Sequence, residues 1–140
     1  DNHHGLFLTN RTKDANFFSQ ADLLIPSETL MENNTCICVS EKTLTPIFLH
    51  RPFILNAQNN FLRMLHGYNI KTFSGIIDET YDKYDGIDRI KCIKEEVKRL
   101  LGYSDSEWKK FLLECNEVSV YNVNIIRTTN YEQKIIKELC

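Results

Sequence analysis

The sequence lacks a charge excess of either sign and any long hydrophobic run. Its 17 Lys and Arg residues are interspersed among 19 Asp and Glu residues, giving a formal net charge of -2. Nucleic acids and anionic membrane surfaces attract basic patches, so neither is expected as a partner. No apolar run approaches the roughly 20 residues that cross a bilayer, and the polar first residues do not resemble a signal peptide. We therefore expect a soluble protein.

Cysteines are few, and they lack the spacing of a metal site. The five of them form an odd set without a CxxC pair: Cys36, Cys38, Cys92, Cys115 and Cys140. Reduced, mostly buried thiols in the cytoplasm are the favoured interpretation. The pair Cys36 and Cys38 could bind a metal only with partners from elsewhere, whereas alternation in a strand places both on one apolar face. No metal ligands are predicted.

The chain contains no internal repeat or low-complexity linker, and its 140 residues fit one domain. It begins with Asp-Asn-His-His instead of Met, which we interpret as the start of a fragment of a larger, two-domain protein. Residues 1–20 form an irregular lead-in in which residues 6–8 are a candidate edge strand or the end of a missing element. Residues 21–85 form a core of alternating strands and helices, and residues 86–140 are helical.

Short apolar segments alternate with helical patterns in the first part of the chain. Residues 22–25, 52–55 and 70–73 read as buried strands, and residues 36–39 as a strand or an extended lead-in. Ser40 is a candidate N-cap for a helix over residues 41–50, which Pro46 complicates, and a second helix ends at Gly67. Alternating strands and helices predict an α/β fold: a single Rossmann-like domain with a small parallel sheet, followed by C-terminal helices.

The C-terminal part carries helical periodicity. Apolar residues recur every three or four positions before Gly102, namely Ile87, Ile90, Ile93, Val97, Leu100 and Leu101. Ser104 and Glu107 form a capping box for the next helix, whose predicted inner face comprises Trp108, Phe111, Leu112, Cys115 and Val118. The β-branched residues of 118–126 leave a helix break or a strand open there. A last short helix is expected over residues 131–139.

The triplet Ser40-Glu41-Lys42 lies where an extended segment enters a helix. Free backbone N–H groups and the helix dipole favour an anion at such a place. Lys42 would add positive charge for a diphosphate, and Glu41 could accept hydrogen bonds from ribose hydroxyls. Glu28 ends the preceding strand and is expected to converge on the same crevice. The alternatives are a solvent-facing Glu-Lys pair and an ordinary loop carboxylate.

The most acidic segment contains Asp78, Glu79, Asp82 and Asp85. Oxygen ligands would suit Ca²⁺ or Mg²⁺, but the spacing does not fit an EF-hand. A cap on the helix that begins near Gly86 is the favoured interpretation.

Several ordered motifs resemble a known family. An apolar strand ending in Glu28, then Val-Ser-Glu-Lys ending at Lys42, a helix, and the Pro-Phe-Ile strand beginning at Pro52 resemble the C-terminal, donor-binding half of GT-B glycosyltransferases of the fucosyltransferase type. The sequence is similar also to uncharacterised, often viral, glycosyltransferase-like proteins with a Gly-Phe-Lys-Thr-Phe element and an Asp-Glu-Ser-Tyr-Asp motif. Here these read Tyr-Asn-Ile-Lys-Thr-Phe, ending at Phe73, and Asp-Glu-Thr-Tyr-Asp, ending at Asp82.

The resemblance implies a domain that binds a nucleotide-activated sugar as its substrate, without a further cofactor. Glu41 would hold the ribose and Lys42 the diphosphate, with Glu28 and Ser40 completing the binding site. Residues 56–60 lack the glycine usual in the family's loop, although Asn tolerates the left-handed conformation. The acceptor site and general base would lie on an N-terminal Rossmann-like domain outside this chain, so no catalytic residue is assigned. The alternative is a non-catalytic interaction module of a viral or multi-protein assembly.

Overall fold

A computed structural model describes residues 20–28 and 39–129 of the chain. Four α-helices follow one another: α1 (Glu41–Phe48), α2 (Phe61–Gly67), α3 (Gly86–Leu101) and α4 (Asp105–Thr128), with a 3₁₀ helix at Glu79–Lys83 before α3. Helices hold 60% of the described residues and β-bridges 6%. The predicted elements at residues 6–8, 36–38 and 131–139 lie outside the described residues.

The predicted α/β Rossmann-like fold is wrong, because the described residues form no sheet. The segments predicted as strands at residues 22–25 and 52–55 do run parallel. They pair only through isolated bridges, Leu24 with Phe53 and Ser27 with Asn56. Leu24 donates to the carbonyl of Pro52 and accepts from Ile54, both at 3.0 Å. The next rung requires a backbone N–H at residue 26, and Pro26 has none. The ladder therefore lacks this one bond and resumes beyond it, where Asn56 donates to the carbonyl of Pro26 at 2.9 Å and Glu28 donates to the carbonyl of Asn56 at 2.8 Å.

The third predicted strand, residues 70–73, pairs with side chains instead of with a neighbouring strand. The amide of Asn122 on α4 accepts from the N–H of Lys71 and donates to its carbonyl, both at 2.8 Å. The N–H of Phe73 donates to Glu79 Oε1 at 2.7 Å. Since these groups already have partners, this segment does not extend the pairing of residues 24–28 and 52–56 into a sheet.

The hydrophobic core lies between the two parallel segments and the helices. Phe53 and Phe73 meet edge to face with ring centroids 5.1 Å apart. The buried apolar residues come from nearly every described element and include Ile47, Ile54, Leu55, Phe61, Leu65, Tyr81, Phe111 and Val123. α1 packs against α4, and Trp108 Nε1 donates to Asp22 at 2.9 Å. The short segments are thus held mainly by helices.

The helix predicted before Gly102 is confirmed as α3, but the face that it buries differs from the predicted apolar face. Ile93 and Leu100 point inward together with Arg89 and Glu96, whereas Ile87 and Leu101 are 65% and 79% exposed. The spacing of four, three and four residues is that of one helix face. Two charged residues therefore occupy core positions on α3.

Helix α4 begins with the predicted capping box of Ser104 and Glu107. Phe111 and Cys115 are buried on its inner face, as predicted. The break left open at residues 118–126 does not occur, because the helix continues to Thr128. Within the described ranges, no helix is both long and apolar enough to cross a membrane.

Candidate functional site

Glu28 lies at the end of the first parallel segment, with its side chain turned into the protein. Its backbone N–H donates to the carbonyl of Asn56 at 2.8 Å, which fixes the end of the segment. The residue is only 4% exposed. A buried carboxylate requires hydrogen-bond donors, and residues of the α1 N-terminus supply them.

Three donors converge on the Glu28 carboxylate. Ser40 donates its backbone N–H to Oε1 at 3.2 Å and its hydroxyl to Oε2 at 2.6 Å. The hydroxyl of the fully buried Thr43 donates to Oε1 as well. We call Glu28, Ser40 and Thr43 the Glu28 clamp. It ties the end of the first segment to the start of α1.

Ser40 is the N-cap of α1, as predicted. Its hydroxyl oxygen accepts from the backbone N–H of Lys42 at 3.2 Å. Glu41 is exposed at the first helical position, and Lys42 is half-buried at the second. Pro46 lies inside the helix, which ends at Phe48, two residues before the predicted end. The first turn therefore presents a charged pair beside an anchored N-cap.

The structure thus brings the predicted site residues together in part. Glu28 and Ser40 touch directly, and Glu41 and Lys42 follow Ser40 in the same turn. The carboxylate of Glu28 faces Ser40 and Thr43, so it does not share an open crevice with Glu41. Thr43 was missed by the sequence argument. Its place three residues after the N-cap puts it on the same side of the helix as Ser40, which was the available signal.

The loop after the second parallel segment ends with a left-handed residue, Asn60, whose φ is 58°. A turn without glycine is therefore accommodated by Asn at this position. The N–H of Asn60 donates to the carbonyl of Asp82 at 2.8 Å. The N–H of Asn59 donates to Asp85 Oδ1 at 2.6 Å. This loop is fastened by the acidic segment.

The four acidic residues bind backbone groups of separate elements, and the predicted cap on α3 is present only in the position of Asp85. Asp85 is the N-cap residue of α3 but makes no side-chain cap there. Asp82 accepts from the N–H groups of Leu62 and Arg63 at the start of α2, at 3.1 and 3.4 Å. Asp78 caps the 3₁₀ helix through the N–H of Thr80 at 3.0 Å. Across residues 20–28 and 39–129, no group of three or more metal-binding side chains is assembled.

Glu79 is a half-buried acid that accepts two hydrogen bonds. It accepts from Thr72 Oγ1 and from the N–H of Phe73, both at 2.7 Å. Burial raises its pKa to about 6, and these two hydrogen bonds oppose the rise. His66 Nε2 lies 3.0 Å from Thr72 Oγ1. Because the Thr72 proton goes to Glu79, His66 must be the donor in that contact.

Arg89 forms the centre of a second buried polar cluster. Its guanidinium donates to four backbone carbonyls, those of Leu55, Gln58, Tyr81 and Tyr84, at 2.8 to 3.3 Å. It also pairs with Asp82 Oδ1 at 3.2 Å. We call Arg89, Asp82 and these carbonyls the Arg89 hub. Arg89 is fully buried, so its guanidinium is not accessible to a ligand.

Cysteines in the described ranges are free thiols at Cys92 and Cys115. Burial raises the pKa of the Cys115 thiol to about 12. A thiol of this kind is protonated and a poor nucleophile at neutral pH. Cys115 is therefore a packing residue.

Comparison with known proteins gives no relative for this chain: no family model, curated protein or solved structure matches it.

Proposed function

We propose that the chain binds a nucleotide-activated sugar through the first turn of α1, as the donor-binding part of a glycosyltransferase-like protein. The proposal is supported chiefly by the Glu28 clamp, which anchors Ser40 as the N-cap and leaves Glu41 exposed beside it. The sequence motifs that resemble donor-binding domains lie before and after this turn along the chain. The cytoplasmic location expected from the sequence accords with the free thiols of Cys92 and Cys115.

Each charged residue of the turn has a chemical part in the proposal. The Glu41 carboxylate accepts hydrogen bonds from both hydroxyls of the ribose, as acidic residues do in many nucleotide sites. The Lys42 ammonium binds the diphosphate at the positive end of α1. During transfer it would stabilise the negative charge that grows on the departing nucleoside diphosphate. The acceptor site and general base belong to a further domain in this proposal.

Calorimetric titration of uridine and guanosine diphosphates, with and without an attached sugar, tests the site. We expect saturable binding that weakens by about tenfold in Lys42→Ala, since a charge-assisted contact to phosphate is worth about 1.4 kcal/mol or more. Lys109→Ala on the exposed side of α4 is the matched control and should bind as the unaltered chain does. Absence of saturable binding, or equal binding by Lys42→Ala, would reject the proposal.

The ribose contact has a separate test. The preference for a ribose over a 2′-deoxyribose diphosphate should disappear in Glu41→Gln, because the carboxylate accepts from the missing hydroxyl. An unchanged preference would exclude Glu41 from that role.

A non-catalytic interaction module is the second candidate, and the outer face of α3 favours it. Ile87 and Ile90 are exposed there within one turn of each other, and Leu101 is exposed on the same side about 16 Å further along the helix axis. Exposed apolar residues grouped in this way are typical of interaction surfaces. This candidate predicts that nucleotides do not bind, and that Ile87→Asp weakens association with a protein partner or a second copy.

A further inference from the structure

We infer that Glu28 is a positioning residue of the α1 site, which shapes the first turn through Ser40 and Thr43 without touching the nucleotide. This inference rests on the proposed function and changes the part of Glu28 in it from ligand contact to internal support. It is carried by the three hydrogen bonds of the Glu28 clamp.

The Glu28 clamp requires a side chain at position 28 that accepts hydrogen bonds and donates none. Ser40 N–H, Ser40 Oγ–H and Thr43 Oγ1–H are all donors toward the carboxylate. An ionised carboxylate offers two oxygens and about four acceptor positions, so it satisfies all three. A glutamine offers one acceptor oxygen and an NH₂ group. At least one of the three contacts is therefore lost or reversed in Glu28→Gln.

The direction of the Ser40 hydroxyl links the Glu28 clamp to the turn. Ser40 has a single hydroxyl proton, and it is donated to Glu28 Oε2 at 2.6 Å. The oxygen is consequently free to accept from the N–H of Lys42 at 3.2 Å. Glu28 thus sets the hydroxyl in the orientation that caps α1. The backbone of Lys42, and with it the base of the proposed phosphate-binding side chain, is held through this chain of two hydrogen bonds.

The negative charge of Glu28 would weaken diphosphate binding, whereas its hydrogen-bond support of the first turn would strengthen it. A carboxylate near the start of α1 repels a second anion, so removal of this charge alone should tighten diphosphate binding. Removal of the hydrogen bonds that Glu28 accepts from Ser40 and Thr43 should weaken diphosphate binding. The sign of the change in affinity therefore distinguishes a positioning role from a purely electrostatic one.

The test uses the full chain and uridine and guanosine diphosphates as probes, below the unfolding temperature of every variant. For Glu28→Gln we expect an affinity about tenfold lower and an amide exchange of Lys42 about tenfold faster, equivalent to about 1.4 kcal/mol. Glu117→Gln, an exposed carboxylate on α4, should change neither quantity. Exchange of amides within α4 should be the same in all variants, which separates a local effect from global destabilisation.

A second variant, Thr43→Val, disturbs the Glu28 clamp less than Glu28→Gln does. Thr43→Val removes one donor and retains the volume of the buried side chain. We expect it to lower the affinity by about threefold, and to add little when it is combined with Glu28→Gln, because both act through one cluster.

The outcomes are distinguishable. If Lys42→Ala binds the probes about tenfold more weakly than the unaltered chain, but Glu28→Gln binds within twofold of the unaltered chain or more tightly, the positioning role is overturned while the proposed function stands. If the unaltered chain does not bind, both are overturned.

Discussion

The Glu28 clamp and the Arg89 hub both bury a charged side chain, yet their surroundings differ. Arg89 pairs with Asp82 and four carbonyls, and the residue is fully enclosed. Glu28 is nearly as buried, but the residues that hold it lead directly to an exposed Glu41 and a half-buried Lys42. Burial of a charge does not by itself mark a functional site. The distinguishing feature is whether the buried group orders charged residues that a ligand can reach.

Removal of the Arg89 guanidinium should have the largest effect on stability. Arg89→Met removes the ion-pair partner of the mostly buried Asp82 carboxylate and the donors to four carbonyls. Loss of one member of a buried pair costs about 3 to 5 kcal/mol of unfolding free energy, measurable by urea unfolding. Lys91→Met, in an exposed pair with Asp88, should cost about 0.5 kcal/mol or less. Similar losses in both variants would contradict a structural role for the hub.

Asn122→Leu should have the next largest effect. It removes both hydrogen bonds to the backbone of Lys71 and leaves that N–H and carbonyl without their partner from α4. Unsatisfied polar groups predict a loss of about 2 to 3 kcal/mol in urea unfolding. Asn116→Ala, on the exposed side of the same helix, serves as the control. A neutral Asn122→Leu would show that residues 70–73 are held by packing alone.

Glu79, a half-buried acid, extends the comparison through pH. Its pKa is raised from 4.5 to about 6 in the folded chain, so the folded state binds the proton more tightly than the unfolded state does. Stability from this group is therefore present below pH 4.5 and is lost as the pH rises through 6, by at most about 2 kcal/mol. Urea unfolding between pH 4.5 and 7 should show this fall relative to Glu79→Gln. Parallel pH profiles for the two chains would refute it.

Thr43→Val should have the smallest effect on stability. One of the three donors of the Glu28 clamp is lost, while both contacts from Ser40 remain. We expect a loss of about 1 kcal/mol. Thr45→Val is the matched control in the same helix, because the Thr45 hydroxyl donates only to the exposed carbonyl of Glu41. Equal losses in thermal unfolding would mean that the contact between Thr43 and Glu28 contributes no more than a surface hydrogen bond.

Local signals in the sequence predicted the helix starts well. Ser40 and the Ser104 capping box act through side chains within three residues of the helix, so the local pattern contains the necessary information. The sheet prediction failed because its outcome depended on single groups elsewhere. Pro26 removes one N–H of the ladder, and Asn122, some 50 residues from its partner in sequence, takes the place of a strand.

The inner face of α3 shows a second limit of prediction from the sequence. Ile87 and Ile90 carried the hydrophobic pattern but are exposed, while Arg89 and Glu96 are buried. Charged residues at core positions give no hydrophobic signal, and their partners lie on other elements. The same reason explains why Glu28 was predicted as part of the site but not as a residue that faces Ser40 and Thr43.

The backbone amide signals of Ser40, Glu41 and Lys42, followed by NMR during titration with uridine or guanosine diphosphate, test the proposed site most directly. Binding at the first turn of α1 predicts saturable shifts that are largest at these three amides and that require about tenfold more diphosphate to saturate in Lys42→Ala. Unchanged signals at saturating diphosphate, or shifts confined to other parts of the chain, would contradict it.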